Sequence, residues 1–292
     1  MSGSVNQMQM RVWILTAMLA PLAHASGAGW ATMLLAAVVL LPLAALPVPR
    51  KPPGKLLLWL GWGSVAAAAA VLLPASGSYW PGRSSEIVVP LVLLLLAGLT
   101  QNETRSANAA GILGWGVGLM GAAVWVLAMK EVRPAWLRPQ LTSWNGSLVF
   151  PMLLPVLFRS QMPGRKNWLF LAAGLAAILG ILVQGNLSLG IAGQQNAPFY
   201  EMAGSLRVGS LSRLEPMVSL LLTFSWYSLA LALVMAGKSY LCQIGLTGRT
   251  ALWLTVMAMG GGILFGVQDE IKDAAKIGIL VWLMLPKISC EK

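Results

Sequence analysis

Residues 212–238 read SRLEPMVSLLLTFSWYSLALALVMAGK. From Met217 to Gly237 no residue is charged, while Arg213 and Glu215 precede the run and Lys238 ends it. A helix needs roughly 20 apolar residues to cross the hydrocarbon layer, and this run has that length. Arg213 and Glu215 then lie at the headgroup level, and Pro216 fits the first helical turn, where its missing N–H loses no partner. The whole chain repeats the pattern. Of its 292 residues 57% are hydrophobic and 10% are charged, whereas soluble domains carry about a quarter charged residues. The fold class is therefore all-α integral membrane, without a separate soluble domain.

Ten transmembrane spans are read from the apolar runs, at about 10–25, 30–48, 55–73, 87–100, 108–129, 147–158, 167–187, 217–237, 250–267 and 274–286. Spans four, six and ten are short for a full crossing. The chain is one polytopic domain, residues 1–292, with a first repeat over about 10–129, a second over about 147–267 and a last helix at 274–286. A cleaved leader ending near Ala23-His24-Ala25 is the alternative for the first segment.

Lys and Arg outnumber Asp and Glu by 20 to 9. The basic residues stand in short loops between apolar runs, so they report topology rather than nucleic-acid binding. With both termini cytoplasmic, inner segments hold 12 of the 20 and outer segments 8. The clusters PRKPPGK (49–55) and RSQMPGRK (159–166) carry most of that bias. Two cysteines, Cys242 and Cys290, suggest neither a disulfide framework nor a metal site. No phosphate-binding loop, zinc motif or nucleophile elbow is present, so no enzyme chemistry, metal or cofactor is expected.

Two spans contain prolines in their interiors: ILTAMLAPLAHASGAG (14–29), with Pro21, and SLVFPMLLPVLF (147–158), with Pro151 and Pro155. Proline deletes a backbone donor and clashes with the preceding turn. Helix interruptions at mid-membrane survive only where protein covers them, and they can bind ions or the charged ends of small solutes. Inverted-repeat transporters place such breaks at corresponding positions of two halves, here spans one and six. A pair of ordinary kinked helices is the plain alternative, since proline is common in membrane helices. Gly111, Gly114, Gly118 and Gly121 give span five a small face for helix packing. The acidic and basic residues of DEIKDAAK (269–276) read as a solvated turn between spans nine and ten. Ionisable side chains are nearly lacking inside the spans, and His24 is the sole candidate.

Four stretches carry a resemblance to a known family: VNQMQMRVWILTAMLAPLAHASGAGWATMLLAAVVLL (5–41), LLPASGSYWPGRSSEIVVPLVLLLLAGLTQNETRSANAAGILG (72–114), SLVFPMLLPVLF (147–158) and NAPFYEMAGSLRVGSLSRLEPMVSLLLTFSWYSLALAL (196–233). Their order resembles the membrane-embedded B subunit of spore germinant receptors, the GerAB type, within the amino acid–polyamine–organocation transporter superfamily. The first break departs from the family in lacking its Gly-rich sequence with a following Pro. The resemblance implies a LeuT-like inverted repeat with helices one and six broken, and spans one, three, six and eight around a small central pocket. It also implies sensing of an amino-acid-like nutrient, A-type and C-type receptor subunits as partners, and the bacterial spore inner membrane as location. Pro21, Leu22, His24, Gly61, Pro151, Pro155, Ser225 and Tyr227 are the implied ligand-binding residues: the prolines would open backbone groups, and Ser225 and Tyr227 would offer hydroxyls. A secondary amino-acid transporter of the same fold, and a structural membrane subunit that binds no solute, are the alternatives.

Overall fold

The described apolar runs become helices because lipid offers no partner for a backbone N–H or C=O, and a helix pairs them within the segment. The computed structural model describes residues 7–25, 30–46, 54–80, 82, 84–99, 103–128, 146–159, 165–189 and 215–265. Among them are nine α-helices: α1 (Gln7–Ala25), α2 (Trp30–Leu40), α3 (Lys55–Leu72), α4 (Ser85–Leu99), α5 (Glu103–Ala128), α6 (Gly146–Leu157), α7 (Arg165–Leu189), α8 (Glu215–Ile244) and α9 (Gly248–Phe265). No strand occurs among the described residues. Four helical stretches are long and apolar enough to cross a membrane, Lys55–Tyr79, Ser106–Val124, Pro216–Ile244 and Gly248–Phe265, and shorter apolar helices accompany them. The outer surface is itself apolar, with Val38, Leu56, Leu119, Met257 and Phe265 each more than two-thirds exposed. An apolar belt of that extent fits a lipid environment. The tenth expected span and the segment 269–276 lie outside the described residues.

Local chemistry sets the helix ends. Proline at the start of a following 3₁₀ turn ends α2 and α3: Pro42 lies in Leu41–Ala45, and Pro74 in Leu73–Tyr79. Helix α8 runs seven residues beyond its expected stop at Gly237. Lys238 is half-buried and Tyr240 fully buried, so this end packs against protein. It stops at Gly245, whose φ of +117° suits glycine alone. There the Gly245 N–H donates to the Cys242 carbonyl and the Leu246 N–H to the Leu241 carbonyl, which closes the last turn.

The helices pack in a definite order. Helix α8 is central and touches α1, α3, α4, α5 and α9. Helix α1 packs on α6, α2 on α7, α3 on α8 and α4 on α9. The contact of α1 with α7 is matched by that of α2 with α6, and α3 on α9 by α4 on α8. At one end of the bundle, the His24 ring on α1 meets Tyr79 after α3, and Gly77 abuts the first turn of α4. At the other end, the Trp13 ring packs at a tilt against Phe158 after α6, and Arg11 lies over Phe170 on α7. All eight basic residues among the described ones are placed toward this second end: Arg11, Lys55, Arg105, Arg159, Arg165, Lys166, Lys238 and Arg249. Cys242 lies in the last turn of α8. Cys290 lies outside the described residues.

The expected breaks are corrected as well. Helix α1 continues through Pro21, and α6 through Pro151 and Pro155. All three prolines are buried. A deleted backbone donor covered by neighbouring helices need not unwind the chain, because the freed carbonyls do not face lipid.

The small face of α5 divides into a tight part and an open part. A Cβ at Gly114 would fall 2.5 Å from Thr16 Oγ1 and 2.8 Å from Val12 Cγ1, whereas at Gly118 or Gly121 it would meet nothing within 4 Å. Gly114→Ala should therefore cost about 1–3 kcal/mol through overpacking, and Gly121→Ala should be neutral or slightly stabilising. Thermal unfolding of the two variants in one detergent checks this.

Candidate functional site

Three helices meet where α1 carries Pro21. An α-helix pairs each N–H with the carbonyl four residues back, so the Ala20 N–H belongs with the Thr16 carbonyl. Ser225, from the middle of α8, places its hydroxyl between them. Its Oγ accepts from the Ala20 N–H at 2.7 Å and donates to the Thr16 carbonyl in a short hydrogen bond. A side chain from 205 residues away thus enters the ladder of α1 one residue before the proline. Pro21 itself donates nothing to the Ala17 carbonyl. Two successive rungs of α1 are therefore marked: Pro21 deletes the donor of one, and the Ser225 hydroxyl bonds to both ends of the other, although the helical path persists.

The seam is held on both sides. Trp13 Nε1 donates to the Ser228 carbonyl at 3.2 Å, one turn along α8. Thr16 directs its own hydroxyl to the Val12 carbonyl at 2.8 Å. Ser225 and Ala20 have no exposed surface, and Thr16 is 5% exposed. In so dry a setting an unmet donor or acceptor costs about 1–3 kcal/mol, and the serine hydroxyl serves one of each.

The implied ligand residues divide by position. Pro21 and Ser225 come together at this seam. Leu22, on the next turn of α1, is fully buried. Pro151 and Pro155 lie within α6, which packs on α1 and α3. Gly61 is buried on α3, and its carbonyl accepts from the Ser64 hydroxyl at 2.8 Å. The four helices make a closed ring of contacts, α1 to α8 to α3 to α6 and back to α1. Two of the implied residues point elsewhere. Tyr227 is half-buried and lies two positions beyond Ser225, roughly 200° around the helix. His24 is half-buried in the last turn of α1, edge-on to Tyr79 with ring centroids 6.4 Å apart. Its imidazole suits a helix C-terminus, and no described residue bonds to its Nδ1.

Two groups escaped the sequence reading. Thr16 and Ala20 supply the backbone partners of Ser225, and only the polar Thr16 inside an apolar span hinted at them. Arg159, just beyond α6, is 7% exposed. Burial lowers its guanidinium pKa from the ordinary value, and the electrostatic effect of Tyr240 partly opposes this. The acidic residues among the described ones, Glu86, Glu103 and Glu215, all belong to the first turns of their helices. No group of three or more His, Cys, Asp or Glu that could hold a metal ion occurs among the described residues.

No family model matches the sequence, and no curated protein matches it.

Proposed function

We propose that the chain is an inverted-repeat membrane protein of the germinant-receptor B-subunit type, in which the α1–α8 seam binds a small amino-acid-like nutrient. The observation that carries this is the Ser225 hydroxyl inserted between the Ala20 N–H and the Thr16 carbonyl beside Pro21. If Ser225 withdraws, the Ala20 N–H and the Thr16 carbonyl lose their common side-chain partner at one buried point, and a ligand there competes with the closing of the helical rung. Those groups match the carboxylate and the ammonium of an amino acid. The seam is closed as it stands, so a nutrient acts by binding the opened arrangement more tightly than the closed one. Partner subunits of the A and C types would read that shift.

The packing of each of the first four helices on the helix five positions later supports an inverted repeat. The collection of basic residues toward one end supports a cytoplasmic location for that end, and hence for the N-terminus. Sensing is favoured over proton-coupled uptake by the placement of the described acidic residues at helix starts, since buried ionisable groups mark proton relays.

The test is thermal unfolding of the purified full chain against a panel of free amino acids, with uptake into liposomes measured in parallel. At least one amino acid should raise the midpoint of unfolding without being concentrated inside the vesicles. Concentrative uptake would establish transport instead. Indifference to every amino acid in both assays would leave the structural-subunit alternative.

A further inference from the structure

Away from the ring, a groove of about 420 Å³ runs between α1, α5 and α7. Thr16 and Leu19 form one wall, Phe170 and Ile178 another, and Gly118 and Gly121 the floor. The groove exists because side chains are missing there: a Cβ at either glycine would meet nothing within 4 Å. Nearer the basic end α1 and α5 are tightly joined, and a Cβ at Gly111 would strike the backbone of Gln9. The groove is bordered by Trp115 and Leu119, which are 46% and 71% exposed, so it opens sideways into the lipid.

Charge marks one end of it. The Arg11 guanidinium lies 5.5 Å from the ring centroid of Phe170, which lines the groove. Arg11 Nε is buried, and no described residue accepts from it. The other two walls bring basic residues to the same end by position: Arg105 is in the first turn of α5, and Arg165 and Lys166 open α7. An apolar trough closed by arginine at headgroup level is complementary to an anionic amphiphile.

We propose that this groove is a binding site for an anionic phospholipid, with one acyl chain along Gly118 and Gly121 and the phosphate at Arg11. The site depends on membrane residence alone and stands apart from the nutrient seam. An arginine at the anionic surface favours such a lipid by about fivefold. The glycine floor admits the chain, and the guanidinium selects the headgroup.

The full chain in neutral detergent is titrated with phosphatidylglycerol and with phosphatidylcholine of identical acyl chains. Bound lipid is counted by native mass spectrometry, and unfolding is followed in parallel. Phosphatidylglycerol should bind the wild type about fivefold more tightly. Arg11→Gln should erase that preference, and Arg11→Lys should keep it. Gly118→Leu fills open space and so should elute and unfold as the parent does, yet bind both lipids more weakly. Equal affinity of the wild type for the two lipids would overturn the proposal. So would undiminished binding to Gly118→Leu. If Gly118→Leu instead converts an oligomer to a monomer, a partner helix occupies the groove and the lipid assignment is wrong.

Discussion

Ser225→Leu should abolish recovery of monodisperse protein, while Ser225→Ala should be recovered in nearly normal yield. The leucine adds three carbons at a position with no exposed surface, against the equally buried Ala20. Overpacking of that kind costs about 1–3 kcal/mol. It also removes the hydroxyl that serves the Ala20 N–H and the Thr16 carbonyl, and side-chain hydrogen bonds in membrane proteins average about 0.6 kcal/mol. The alanine loses the hydroxyl without adding bulk. Helix α1 can then close its own rung, pairing Ala20 with Thr16 directly, so the midpoint should fall by only a few degrees. The two variants also separate stability from function. In Ser225→Ala the seam no longer needs α8 to satisfy it, and any nutrient-dependent stabilisation should weaken even though the protein folds. Fluorescence-detected size exclusion with a heating series measures both outcomes. A wild-type profile for Ser225→Leu would mean that the serine is not inserted into α1.

The helical frame was legible because lipid makes a simple demand on sequence. Uncharged runs bounded by Arg, Lys or Glu had to be helices, and span 55–73 emerges as Lys55–Leu72, span 147–158 as Gly146–Leu157. What lay beyond the reach of the sequence was how a defect is met. Pro21 announced a missing donor, but the hydroxyl that joins the neighbouring rung belongs to a residue 205 positions away, and nothing in the spacing of α8 singles out Ser225 over Ser219 or Ser228. The prolines therefore suggested broken helices, whereas close packing keeps both helices continuous. Tyr227 was paired with Ser225 for its hydroxyl, though two steps along a helix turn it away. The glycines of α5 read as one packing stripe, while only the part near Gly111 and Gly114 touches α1. The part near Gly118 and Gly121 is a hollow. In each case residue type was visible and the facing element was not.

Gly77→Ala should be the most damaging glycine-to-alanine substitution among the described residues. Gly77 belongs to the 3₁₀ turn Leu73–Tyr79, which carries the chain from α3 toward α4. A Cβ there would strike the backbone N and Cα of Glu86 and the carbonyl carbon of Ser85. Flexible side-chain ends can move aside, as Leu15 could for a methyl at Gly174, but these atoms belong to the first turn of α4. Either that turn unwinds or the 3₁₀ turn lifts away, and both carry Tyr79 off the His24 ring. The cost should reach at least the upper part of the ~1–3 kcal/mol overpacking range, a fall in midpoint of about 5–10 °C for a chain of this size. The neighbouring Gly82 supplies the contrast, because a Cβ there meets nothing within 4 Å and the penalty arises only from its φ of +121°. Gly82→Asn should therefore carry backbone strain of about 1–2 kcal/mol without any clash, while Gly82→Val, β-branched, should carry more. If Gly77→Ala unfolds no earlier than Gly82→Asn, the turn does not rest on α4, and the closed end of the bundle at His24 and Tyr79 is packed some other way.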